Sequence, residues 1–177
     1  MAATEAGHER GPERNMSKYS QTNLLPMFMK AAKLRNEMLA EGFTDNGGAI
    51  HSAERILDIL GQRVCYAPLP HINSLKAHPD AERTRSADQA RSAGNLRDLR
   101  IEHVAPLRAL TRMAIAEADK TGEDGVLAVV KDQYRLVLLT AQEMAQLNGS
   151  NRSTISATRL EDCGIAVVAG KRPPWST

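Results

Sequence analysis

Side by side at positions 102 and 103 stand a carboxylate and an imidazole, inside the run Arg100-Ile101-Glu102-His103-Val104-Ala105-Pro106-Leu107. A β-type residue leads into the pair and a proline three positions later stops the strand. At a frayed strand end, Glu102 and His103 can both turn toward one small volume. A hard cation held by oxygen ligands beside a general base is the chemistry such a volume supports. The competing reading is a solvated Glu-His pair where a strand gives way to a helix.

Arginines crowd the same region. Arg83, Arg85, Arg91, Arg97, Arg100 and Arg108 fall within one stretch, and the planar fork of a guanidinium binds two phosphate oxygens at once. Asp80, Glu82, Asp88 and Asp98 are mixed among them, so a helix laced with its own ion pairs competes with a phosphate-binding face. The chain as a whole decides nothing here, because 23 Lys and Arg against 21 Asp and Glu leave +2, too little to mark a nucleic-acid binder.

The elements that must position these groups can be read along the 177 residues. Residues 1–20 are polar and read as a disordered tail with no apolar leader. Residues 21–95 read as a helical region. Leu24, Leu25, Phe28, Met29 and Ala32 mark one amphipathic helix ended by Gly42, and Ile56, Leu57, Ile59 and Leu60 mark a second, capped by Ser52 and stopped by Gly61. Val64-Cys65-Tyr66 reads as extended, and the Arg-rich stretch to Ala93 as a helix or arm ended by Gly94. Residues 96–177 read as the α+β catalytic region. Leu96 to Val104 is strand-like, Leu107 to Asp119 helical, and Val126 to Val130 a strand or a helix end. Tyr134 to Leu139 is the most strand-like run. Thr140 and Glu143 form a Thr-x-x-Glu capping box for a helix that Asn148-Gly149 ends.

Composition narrows the class further. Aromatics are 3% of residues, so the core is aliphatic, and Tyr66, Tyr134 and Trp175 serve either as base-stacking groups or as anchors. Cys65 and Cys163 lack any paired spacing, which excludes a zinc knuckle and a redox pair. They read as small buried hydrophobes. No apolar run reaches bilayer length, and the expectation is a soluble cytoplasmic protein with no membrane partner. No Gly-rich phosphate loop or Ser-centred nucleophile elbow is present.

Ile101-Glu102-His103-Val104-Ala105-Pro106 resembles the opening motif of HNH nucleases, the ββα-metal class, in its Ile-Glu-His-x-x-Pro branch. Arg135-Leu136-Val137-Leu138-Leu139-Thr140, some thirty positions on, is similar to that branch's second element, Asn-Leu-x-Leu-Leu-Thr, with Arg135 in place of the asparagine. Ala145-Gln146-Leu147-Asn148 resembles its helical end. The resemblance covers about residues 96–152. It implies a metal-dependent endonuclease cleaving DNA phosphodiesters, of the restriction or phage-defence kind. His103 would be the general base and Glu102 its catalytic neighbour. A divalent ion, Mg²⁺ or Mn²⁺, would be held by Glu102 with Glu143 or Asn148, and Arg100, Arg108, Arg135 and Arg152 would face the nucleic acid. Glu143 and Asn148 each have a structural alternative, the capping box and the helix end.

The expected fold is α+β: an N-terminal helical pair, then a small sheet with helices packed on one side, which the resemblance would make a ββα-metal-like core. The expected partner is nucleic acid, DNA ahead of RNA, bound by a monomer or a homodimer. The other function class is a non-catalytic module that binds nucleic acid or protein and uses Glu102-His103 structurally.

Overall fold

The computed structural model describes residues 20–150 and 153–175. The expected tail over residues 1–19 and the candidate Arg152 lie outside the described residues.

The architecture is α+β. In chain order the helices and strands are α1 (Gln21–Ala40), α2 (His51–Cys65), β1 (Arg83–Thr84), α3 (Arg85–Ser92), β2 (Leu99–His103), α4 (Leu107–Thr121), α5 (Glu123–Gln133), β3 (Leu136–Thr140), α6 (Ala141–Ser150) and β4 (Val167–Ala169). Short 3₁₀ turns occupy Asp45–Gly47, Ile72–Ala77 and Glu161–Cys163. The four strands form one mixed sheet in the order β2-β3-β1-β4. β2 runs antiparallel to β3, pairing Leu99 with Thr140 through to His103 with Leu136, while β1 lies parallel to β3.

Strand alternation divides the interior in two. Leu136 and Leu138 of β3 face the larger core, built from α1, α2, α4 and α5 with Leu24, Phe28, Leu57, Leu60, Leu110, Ala114 and Val130. Val137 and Leu139 face the other way, onto a smaller cluster with Leu147, Leu160, Cys163 and Ile165. All four inward residues of β3 are at most 2% exposed, so β3 is buried on both faces and reads as a continuous apolar run. The N-terminal helices and the strands share the larger core.

Several local expectations change. Gly61 does not stop α2, which continues to Cys65. Its role is close packing: a Cβ there would overlap the Tyr134 ring. Ser52 does not cap α2, whose N-cap residue is Ile50. Val126 to Val130 lies in α5, because its apolar side chains meet α2 and α4 rather than a sheet neighbour. Asn148-Gly149 does not end α6, which runs on to Ser150. The capping box stands as expected: Glu143 Oε2 accepts from Thr140 N at 2.8 Å, and Glu143 N donates to Thr140 Oγ1 at 3.3 Å.

Aromatic groups serve as anchors. Trp175 stacks on His78 with centroids 4.5 Å apart and meets Tyr66 edge-on at 5.0 Å. Tyr66 Oη accepts from Leu136 N at 2.7 Å. Cys65 and Cys163 are free and buried, and burial pushes the Cys65 thiol up to about 12. Among the described residues no helix is long and apolar enough to cross a membrane.

Candidate active site

β2 stays paired with β3 through His103, so the strand does not fray at the Glu-His pair. Alternation therefore sends the two side chains to opposite faces, which corrects the expectation that both turn into one volume. His103 goes to the side of α2, and Glu102 to the side of the smaller core.

On the α2 side, His103 Nε2 lies 3.1 Å from Asp58 Oδ1. Tyr134 Oη donates to the same oxygen at 2.6 Å, and Arg55 Nη1 donates to Asp58 Oδ2 at 3.3 Å. The His103 and Tyr134 rings meet edge-on, centroids 5.3 Å apart. Burial by itself would raise the Asp58 carboxyl. Hydrogen bonds from His103 and Tyr134, the charge of His103, and a bond from Gln62 outweigh it and hold the group at about 2. Asp58 is thus an acceptor-only carboxylate at neutral pH, which places the proton of neutral His103 on Nε2. Nδ1 then carries the lone pair, and it has no hydrogen-bond partner among the described residues. Burial, with Asp58 beside it, pushes the Tyr134 hydroxyl well up, so it stays a donor. The imidazole is 24% exposed, enough for a water to reach it.

One turn earlier on α2, Glu54 organises a second cation. Arg108 Nε donates to Glu54 Oε1 at 2.8 Å and Arg108 Nη1 to Asn46 Oδ1 at 3.1 Å. His51 Nδ1 lies 2.9 Å from Glu54 Oε2. Residues four apart share a helix face, so Glu54 and Asp58 draw Arg108 and His103 to one surface of α2. Of the residues expected at the site, these two are brought together.

The others are placed elsewhere. Glu102 faces Arg159, whose Nη2 lies 3.9 Å from Glu102 Oε1. Arg159 is 2% exposed, and its Nη1 donates to the carbonyls of His103 at 2.7 Å and Val104 at 3.0 Å. Glu143, besides closing the capping box, accepts from Thr84 Oγ1 at 2.9 Å. Asn148 sits half-buried within α6. Arg100 Nη1 bonds the carbonyls of Arg97 and Leu99. Arg135 forms a two-pronged pair with Glu82, at 2.7 and 2.6 Å. Of the wider arginine stretch, Arg83 pairs with Asp88 at 2.5 Å and Arg91 bonds the carbonyls of Ala77 and His78. The internally bonded reading of that stretch suits these residues.

Among the described residues no group of three or more His, Cys, Asp or Glu side chains is arranged to hold a metal ion. With Glu102 and His103 on opposite faces and Glu143 engaged at the far end of β3, the residues present do not fit the divalent-ion site that the resemblance implies.

Asp58, Glu54 and Tyr134 are the groups that sequence reasoning missed. The signal available was the four-residue spacing of Glu54 and Asp58 flanking Leu57 on an amphipathic helix, which puts two acids at the margin of a buried face. No protein-family model, curated protein or solved structure matches the chain.

Proposed function

We propose that this chain hydrolyses phosphodiester bonds of nucleic acid, DNA ahead of RNA, with His103 as the general base. The observation that carries the reading is the Asp58–His103 pair: a carboxylate fixes Nε2–H at 3.1 Å and leaves Nδ1 free to take a proton from water. Asp58 stabilises the imidazolium formed as the water attacks phosphorus. Arg108, held on the same face of α2 by Glu54 and Asn46, offers its remaining N–H groups to the phosphate. The proton on His103 is then available to the departing sugar oxygen or to solvent. Among the described residues the candidate ligands of a divalent ion do not converge. The HNH resemblance contributes the phosphodiester as substrate and the histidine as base.

Nicking of supercoiled plasmid tests the reading, run with Mg²⁺, with Mn²⁺ and with EDTA. His103→Ala is expected to slow nicking roughly 100-fold or more, the usual share of a general base. Asp58→Asn is expected to slow it less. Parental rates in His103→Ala remove the proposal. The EDTA arm reads any cation requirement directly.

A second reading is a nucleic-acid- or protein-binding module without catalysis. The engagement of Glu102 by Arg159 and of Glu143 by Thr84 and Thr140 favours it. A gel shift that weakens steeply with salt, with no nicking under any condition, is its signature. Sedimentation of the free and bound protein distinguishes monomer from homodimer under either reading.

A further inference from the structure

Where β2 ends and β3 begins, a cavity of about 280 Å³ opens, lined by Val104, Ile155, Asp132, Gln133, Arg135 and Arg172. Arg135 also lines a second cavity of about 270 Å³, which shares Val104 and Ala157 with the first. Glu82, 7% exposed, accepts from Arg135 Nε at 2.7 Å and Nη2 at 2.6 Å. Two parallel bonds to one carboxylate fix the plane of the guanidinium and cancel its charge. Nη1 has no hydrogen-bond partner among the described residues.

The balance of charge selects the occupant. Glu82 neutralises Arg135, and Asp132 opposes Arg172 in the wall, so nothing here attracts a free anion strongly. What the walls offer is a flat, pinned guanidinium, apolar side chains, a carboxylate acceptor and unused N–H donors. Single-stranded nucleic acid is read in that way, by stacking bases on aromatic or arginine planes and bonding their edges. At about 280 Å³ the space lies just below the roughly 300–1,000 Å³ of pockets for larger organic ligands, which suits one ring system.

We propose that this cavity is a nucleobase pocket that takes a single guanine splayed out of the nucleic acid. It rests on the nucleic-acid reading above and adds the chemistry of its recognition. Guanine carries N1–H and N2–H donors for the Asp132 carboxylate and an O6 acceptor for Arg135 Nη1. Val104 packs on the smaller-core face of the sheet, so a base held here lies across the end of β2 from the His103 ring.

The test is an amide-resolved NMR titration of the full chain with dGMP, dCMP, dAMP, dTMP and inorganic phosphate in separate arms. dGMP is expected to move the amides of Val104, Ala105 and Gln133 and to saturate at least fivefold tighter than dTMP, while phosphate leaves them in place. Asp132→Asn, at a side chain whose hydrogen bond is to Gln133 alone, is expected to weaken dGMP about tenfold with the rest of the spectrum unchanged. Phosphate moving the same amides, dTMP binding as tightly as dGMP, or unaltered dGMP affinity in Asp132→Asn overturns the proposal. Because the readout is binding, His103→Ala separates the two claims. A variant that no longer nicks yet keeps dGMP binding supports both, and a parent that nicks without moving these amides sinks the pocket alone.

Discussion

Asp58→Asn probes the centre of the site through the pH dependence of stability. The asparagine keeps the shape of the side chain and an oxygen for Tyr134 and His103, and removes the charge. In the folded chain the Asp58 carboxyl is held at about 2, against an ordinary value of 3.8. A group whose folded value is depressed stabilises the fold above its unfolded value and loses that contribution as pH falls through the folded one. The contribution is about 2 kcal/mol, nearly fully present above about pH 4, much reduced at about pH 2 and gone by about pH 1. The cost of the substitution, measured as the difference in urea-unfolding free energy between parent and variant, is therefore expected to be about 2 kcal/mol at pH 5.5 and to fall below about 1 kcal/mol at pH 2. Asp45 contributes to the parent's acid sensitivity too, since its hydrogen bond from Arg35, against the opposing effect of burial and with help from Arg112, holds it at about 2. That part is common to parent and variant and cancels in the difference. A cost that stays constant from pH 5.5 to pH 2 would mean that Asp58 does not carry a stabilised charge, and the reasoning that assigns the tautomer of His103 would go with it.

Glu143→Gln retains a capping side chain and is expected to lower stability by about 1 kcal/mol or less while leaving the nicking rate unchanged; loss of nicking with an intact melting curve would show a role beyond the cap. Gly61→Ala adds a methyl that overlaps the Tyr134 ring, so a net loss of about 1–3 kcal/mol is expected despite the better helix propensity of alanine, and a raised melting temperature would count against the packing described. Arg159→Met removes the donor to the carbonyls of His103 and Val104, so a loss of about 3 kcal/mol is expected in urea unfolding; a stability within about 0.5 kcal/mol of the parent would contradict it, that being roughly the range of neutral surface changes.

What was legible in the sequence was local. The Thr140–Glu143 box lies within one turn and needs no knowledge of the rest of the chain, and the apolar run of β3 marked it as a strand because both of its faces are buried. Gly61 and Asn148-Gly149 carry the residue types of helix ends, yet their helices continue. At Gly61 the reason is a ring 73 positions away in the chain, where only a missing side chain lets Tyr134 approach. Asp58 was illegible for the same kind of reason: the amphipathic pattern of α2 gives its face, while β2 and α5 decide what meets that face.

The Glu102–His103 pair shows how much can hang on such a non-local fact. Had β2 ended at Ile101, both side chains would have been free to turn toward one cation. Because His103 is still registered against Leu136, bringing it to the face of Glu102 requires either unpairing the end of the strand or a slip of one residue. A slip would send Leu99 and Ile101 out of the larger core and turn Arg100 and Glu102 into it. Unpairing is the smaller change, but it also breaks the Arg159 bonds to the carbonyls of His103 and Val104. The fold thus holds the imidazole against Asp58 from both sides, by the ladder to β3 and by a buried guanidinium behind it. An imidazole tethered this firmly to a carboxylate keeps one nitrogen free, which is what the proposed general base requires.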